Sequence, residues 1–577
     1  MPVDPGRRAV PSEHASVVLL GALSKLLTEI SATPLRLEAP GVEAARARQA
    51  EVVDQLSDYV IPRLVQLDAP LLTVVGGSTG AGKSTLVNSI VGTRVTESGV
   101  LRPTTRSPVL VHHPDDAEWF QPDRVLPDLP RTSVPTNDVY ALRLAMSERV
   151  PRGLAILDAP DVDSIDQGNR ELASQLLAAA DLWLFVTSAA RYADQVPWDY
   201  LRQAAERSTS VAVVLDRTHA DAVVEVRGHL ARMMTSRGLS DSPLFTVPES
   251  TTDTEGLLPS DAVAPIVGWL TDLAADPRAR TAVMTQTLDG AIRHNVLRTH
   301  DIADAMDAQV EAAEALYADV SDAYNDTAAA ISQETSDGTL LRGEVFARWQ
   351  EFVGTGEMMR SVEERVSRIR DRLVDGVTGK RTRATEVSRA VGDALTSLIV
   401  DDAESAAATA ARAWGGSPSG KQLLASARGL ERASHDLHNR AERAIRDWQA
   451  AVHDLVRIEG SDKRMTANFL AFGVNGVSAT LMIVVLAHRA ESRGPENVGR
   501  KLLAAIFGDL VLDSLVTKAH ADLEARIAPL LRDEQLRFLD LLDSPETVRA
   551  TQTTLREAAR RAEYARHADF LEGGPDS

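Results

Sequence analysis

Cysteine is absent from the 577-residue chain. This excludes a disulfide framework and a cysteine-ligated zinc or iron–sulfur centre, and it fits a reducing compartment. Aromatic residues are scarce, at 4%, while Ala, Leu, Arg and Glu recur throughout, a balance that favours helix packing over sheets. Basic charge is outweighed: 62 Lys and Arg against 82 Asp and Glu leave a formal charge of −20. Neutralising nucleic-acid phosphates needs a basic surface, so no nucleic-acid partner is expected. A convincing leader is missing too. Arg7-Arg8 precede the apolar stretch Val17 to Leu27, but Lys25 and Glu29 interrupt it and no small-residue cleavage site follows. The expected location is cytoplasmic, peripheral or hairpin-anchored at the inner face of the cell membrane.

What is present points to more than one domain, since one core does not organise a chain this long. Residues 1–67 read as helices broken at Pro34 and Pro40, expected to pack with a helical stalk. In 68–278 short apolar runs alternate with helical patterns, the signature of βαβ units. The runs are Leu71–Val75, Val109–His112, Leu154–Leu157, Leu182–Thr187, Val211–Leu215 and Leu244–Val247. Residues 115–138, rich in Pro and Asp, read as a surface insertion. Residues 279–462 carry helical periodicity: Met306, Val310, Ala313, Tyr317, Val320 and Tyr324 alternate steps of four and three, a heptad seam suited to a bundle or coiled coil. Residues 463–517 read as an apolar membrane-hairpin or paddle candidate, and 518–577 as helices returning to the stalk. The expected fold class is an α/β P-loop domain, its mostly parallel sheet flanked by helices, plus an extended all-α bundle or stalk.

Gly77, Ser78, Thr79, Gly80, Ala81, Gly82, Lys83 and Ser84 satisfy G-x-x-x-x-G-K-[ST] between an apolar run and a helical pattern. Glycines let backbone N–H groups curl around a β-phosphate, and the following helix adds its N-terminal partial charge. Lys83 is placed to bridge β- and γ-phosphates, and the Ser84 hydroxyl to ligate Mg²⁺; Thr85 follows in the same site. Leu154-Ala-Ile-Leu-Asp158 is an apolar run ending in a carboxylate, which suits Asp158 to hold Mg²⁺ through water. Between them, a hydroxyl of Thr104 or Thr105 in Leu101–Pro108 suits a switch loop that closes over a γ-phosphate.

These residues, with Thr85-Leu-Val-Asn-Ser, Thr104-Thr105-Arg106-Ser-Pro108, Leu157–Ser164, Ala180–Thr187 and Ala471–Gly476, resemble the bacterial dynamin-like GTPases, particularly those of actinobacteria. The resemblance spans most of the chain. It implies GTP as substrate, Mg²⁺ as cofactor, self-association or pairing with a paralogue, and action on membranes; it also implies Thr105 as the switch threonine. Departures accompany it. The D-x-x-G of the second switch reads Asp158-Ala-Pro-Asp161, which sets a carboxylate beside the γ-phosphate, and Val162 follows where no side chain can orient water. The glutamine position of the dynamin P-loop holds Thr79. N-K-x-D is replaced by Asp216-Arg217-Thr218-His219, with Asp216 suited to accept from base N–H groups and Arg217 to stack on the ring. Slow turnover is expected, with ATP as the alternative nucleotide. The alternative functions are a low-turnover regulatory or scaffold protein and a soluble translation-type GTPase or ATPase.

Phe469 to Ala487 is a run of 19 uncharged residues, about 28 Å as a helix, just short of a hydrocarbon core of roughly 30 Å. The reading for 469–487 is membrane lipid contact through a shallow hairpin, with Ile506–Val516 as return limb, or else a buried stalk helix. A second lipid candidate is 346–372, where Phe346, Trp349 and Phe352 precede Arg360, Arg365 and Arg368. Packing of those aromatics into a helical turn is the plainer alternative.

Overall fold

The computed structural model describes residues 13–97, 107–353, 376–460, 467–490 and 496–570, apart from positions 123, 127–128, 137, 139, 165–166, 207–208 and 220. The chain forms two compact units. One comprises Met1–Leu35, Gly41–Asp307 and Arg549–Ser577; the other comprises Arg36–Pro40 and Ala308–Val548.

The first unit opens with α1 (Glu13–Ala32), α2 (Val42–Gln55), one π-helical turn (Leu56–Val60) and α3 (Ile61–Val65). An α/β alternation follows: β1 (Leu71–Gly77), α4 (Lys83–Val91), β2 (Val109–His112), β3 (Arg131–Thr132), β4 (Leu142–Met146), β5 (Leu154–Asp158) and α5 (Gln167–Ala178). It continues through β6 (Leu182–Ser188), α6 (Gln195–Glu206), β7 (Ser210–Thr218), α7 (Val223–Ser236), β8 (Leu244–Pro248) and α8 (Ser260–Ala275). The strands form one sheet in the order β3-β4-β2-β5-β1-β6-β7-β8. Every recorded pairing is parallel except β2 with β5. Each residue of β1, β5 and β6 is buried, as expected of central parallel strands covered on both faces, and this is why they read as unbroken apolar runs.

The insertion expected at 115–138 is partly structural. Pro114–Phe120 forms a 3₁₀ helix, and Arg131–Thr132 adds the edge strand β3 beside β4. Phe120 is fully buried. A buried charge ties α3 to the sheet. The Asp181 carboxylate, just before β6, accepts from Arg63 Nη2 (2.6 Å), Arg63 Nε (2.9 Å), Tyr59 Oη (3.2 Å) and the backbone N–H of Leu72 (2.7 Å). The long helix α9 (Pro277–Glu334) starts in this unit. The last helix, Pro545–Phe570, packs there through Gln552 Nε2 donating to Asp307 (2.6 Å) and through the Arg566–Asp289 ion pair.

The second unit is entirely helical among the described residues. It holds the remainder of α9 with α10 (Gly343–Val353), α11 (Gly376–Trp414), α12 (Pro418–Ser426), α13 (Leu437–Glu459), α14 (Ala467–Val485), α15 (Glu496–Phe507) and α16 (Asp509–Leu539). Its core gathers Val320, Leu395, Ile399, Trp414, Trp448, Leu523 and Phe538. The indoles of Trp414 and Trp448 satisfy their N–H, to Leu316 O (2.9 Å) and Ala519 O (2.8 Å). The heptad seam needs one correction. Tyr317 is 41% exposed and Leu316 is buried in its place, because a straight helix of 3.6 residues per turn drifts off a 3.5 repeat.

The hairpin or paddle expected at 469–487 is also corrected. Val477 to Ala487 are buried in the core of this unit, and Ile506, Leu512, Leu515 and Val516 of the supposed return limb join them. Internal packing therefore accounts for residues 477–487 of the apolar run. Gly473, at φ 64°, breaks α14 near its start. No helix among the described residues is long and apolar enough to cross a membrane. In the second lipid candidate, Trp349 and Phe352 lie in the same core, with Phe352 against Phe472 at 6.2 Å between ring centroids. Arg360, Arg365 and Arg368 lie outside the described residues.

Candidate phosphate-binding site

The loop between β1 and α4 is shaped by its glycines. Gly77 has φ 143°, and a Cβ there would stand 2.0 Å from the Val186 carbonyl oxygen of the neighbouring strand. Gly82 has φ 98° and caps α4; a Cβ there would meet the Asp216 carboxylate at 2.2 Å. A side chain at either position would force the loop off the strand ends. α4 thus begins at Lys83, and its N-terminal end abuts the loop.

Lys83 is 5% exposed, so it does not reach into solvent as an open phosphate ligand would. Its Nζ donates to Gly77 O (3.0 Å) and Ser78 O (3.1 Å) and pairs with Asp161 Oδ1. The carboxylate expected to repel a γ-phosphate therefore occupies the lysine that would bind one. Two residues on, Asp163 grips the same loop. Its Oδ1 accepts from Thr79 N and Thr79 Oγ1, both at 2.6 Å, and its Oδ2 pairs with Arg191 Nη1 at 2.6 Å. Asp161 and Asp163 flank Val162 in a turn closed by Ser164 N donating to Asp161 O (3.3 Å), and both side chains reach the phosphate loop from just beyond β5.

Asp158, the last residue of β5, is fully buried. Its Oδ2 accepts from Ser84 Oγ (2.7 Å) and from Thr96 Oγ1 (2.7 Å). Among the described residues its Oδ1 has no hydrogen-bond partner, and neither has the buried Ser78 hydroxyl. Burial pushes the Asp158 carboxyl above its ordinary value, against the pull of the two hydroxyls and Lys83 and with a push from Asp161. An orphaned carboxylate oxygen beside a serine hydroxyl is the donor set a Mg²⁺ that keeps most of its waters takes. The residues present therefore fit the metal.

Asp216 ends the pairing of β6 with β7, next to a register irregularity between Leu215 and Thr218. Its carboxylate lies against Gly82 and accepts from the backbone N–H of Arg217 (2.7 Å). Burial raises its pKa to about 6, with the Arg217 bond and charge pulling the other way. Arg217 takes φ 50°, an uncommon backbone for a non-glycine residue. It is exposed, and its Nε lies near the start of α4.

The fold thus brings Thr79, Lys83, Ser84, Asp158, Asp161 and Asp216 to one end of β1, β5 and β7. Thr104 and Thr105 lie outside the described residues. Thr96, Asn88, Asp163 and Arg191 also belong to the cluster, although the sequence did not single them out as site residues. Asp163 had a signal, its place two residues after Asp161. Thr96, twelve residues beyond Ser84, had none.

No protein-family model matches the chain. It is 24% identical over 204 residues to "Probable transmembrane GTPase FZO-like, chloroplastic" of Arabidopsis thaliana. That match takes in 35% of this chain and spans 21% of the plant protein. Among solved structures, two from a study of an oligomerised bacterial dynamin pair in long-range membrane sensing and tethering overlay with TM-scores of 0.42 and 0.41. Their identities are 10% and 12%, covering 98% and 95% of this chain and 96% and 95% of theirs. The LeoA bacterial dynamin GTPase from ETEC overlays at 0.22, with 12% identity over 96% of this chain and 99% of its own. Overlays this loose leave the fold resting on the chain's own topology.

Proposed function

We propose that this protein is a dynamin-like GTPase: it binds and hydrolyses GTP with Mg²⁺, slowly when alone, and self-associates at membranes. The observation that carries the reading is the convergence of Lys83, Ser84 and the half-orphaned Asp158 carboxylate on a glycine-shaped loop at a helix N-terminus. Residues with those chemistries serve a nucleoside triphosphate: the helix end and Lys83 attract the phosphates, and Ser84 and Asp158 would hold the metal. Bound there, Mg²⁺ would supply charge neutralisation at the β- and γ-phosphates. Guanine as the base rests on the GTPase relative, with Asp216 and Arg217 beside the loop as the residues that would meet it.

Membrane action rests on the family resemblance and on the relative's description, not on a lipid-facing segment. With 477–487 in the core, a peripheral association through other surfaces is the form proposed. A second reading, a nucleotide-binding regulator with little turnover, is favoured by the Lys83–Asp161 pair and by Thr79 and Val162, which bring no glutamine to the site. Turnover of GTP and ATP at rising protein concentration, with and without anionic liposomes, separates them. Specific activity with GTP that climbs with concentration or lipid supports the dynamin-like enzyme. Tight binding with turnover flat under all conditions favours the regulator.

A further inference from the structure

Asp158 is held by a residue that the nucleotide reading leaves unused. Thr96 is 2% exposed, and its hydroxyl donates to Asp158 Oδ2 at 2.7 Å, the oxygen that Ser84 also engages. Thr96 is itself fixed. Asn88, 1% exposed on α4, accepts the N–H groups of Val95 (2.8 Å) and Thr96 (2.9 Å) on Oδ1 and donates Nδ2 to Thr96 O (2.9 Å). One buried chain of hydrogen bonds therefore runs from the helix of the phosphate loop through the segment after it to the carboxylate at the end of β5. Both hydroxyls fall on a single oxygen of Asp158, which leaves Oδ1 without a partner among the described residues.

We infer that Thr96 is a positioning residue for the divalent cation of the nucleotide site. It orients the Asp158 carboxylate so that one oxygen stays pinned while the other is presented to the metal or its water. Asn88 supplies the rigidity that makes the Thr96 hydroxyl point one way. Partners of this kind around metal-binding carboxylates alter metal affinity by about 10- to 100-fold when removed. The inference rests on the Mg²⁺–nucleotide reading given above.

The test compares the full-length wild type with Thr96→Val and Thr96→Ser, titrating a fluorescent guanine nucleotide across Mg²⁺ concentrations and in EDTA, with thermal melting alongside. The expected result for Thr96→Val is a Mg²⁺ requirement raised about tenfold, with affinity in EDTA unchanged, and Thr96→Ser restoring the wild-type requirement. An unchanged Mg²⁺ requirement in Thr96→Val overturns the inference. So does an equal loss of affinity in EDTA, which would make Thr96 a packing residue. If Thr96→Val unfolds, Thr96→Ala is read by the same criteria. A wild type that binds nucleotide and responds to Mg²⁺, beside a variant that matches it, leaves the nucleotide reading standing. A wild type that binds no nucleotide with or without Mg²⁺ overturns both.

Discussion

Two carboxylates two residues apart grip the phosphate loop, Asp161 at Lys83 and Asp163 at Thr79. A triphosphate arriving at Lys83 must displace Asp161, so part of its binding energy goes into releasing that segment. Asp161→Asn is expected to bind triphosphate more tightly than wild type and to turn it over faster, since it removes both the competing ion pair and the nearby negative charge. A titration with turnover measured on the same samples decides. Weaker binding or lost turnover would show that Asp161 has a positive role, such as orienting water. Asp216 adds a pH dependence. Its folded pKa of about 6 lies above the ordinary 3.8. Stability from its protonated form is therefore present below about pH 4 and lost as pH rises through 6, at most about 3 kcal/mol at ~1.36 kcal/mol per unit. Asp216→Asn is expected to raise the urea midpoint at pH 7.5, with the advantage shrinking towards pH 4. An advantage that is equal at both pH values would refute the burial argument.

Among the elements, the central strands were legible because burial on both faces favours apolar residues, and β1, β5 and β6 extend the expected runs by one or two residues each. β4 was missed because Leu142-Arg-Leu-Ala-Met146 is partly exposed along most of its length. The two-residue β3 is too short to leave a pattern. α14 shows the limit of composition. Nineteen uncharged residues have the same hydropathy whether lipid or protein surrounds them, and only the partners in the second unit distinguish the cases. Val477 and Ile483 are at most 1% exposed. Val477→Asp with Ile483→Asp is therefore expected to melt well below the wild type, because unpaired buried charges destabilise a core. A melting temperature matching wild type, combined with lost liposome co-sedimentation, would instead return the segment to lipid.

The scale of the whole chain was the least legible. Gln552 meets Asp307 and Arg566 meets Asp289 across more than two hundred residues, and neither pair leaves a local signature. The phosphate site is the opposite case: its motif is contiguous, so Gly77 to Ser84 could be recognised before any fold was known, while Thr96 and Arg191 needed the fold to bring them in. With a formal charge of −20, any binding of a polyanionic nucleotide must come from local arrangement, and Lys83 is its focus. Nucleotide binding through Lys83 is decided by titrating fluorescent GTP and ATP analogues, in Mg²⁺, against wild type and Lys83→Ala of matched melting temperature. Wild type is expected to bind saturably and to favour the guanine nucleotide, with binding lost or severely weakened in the variant. Equal affinity in the two proteins, or no binding by either, would contradict it.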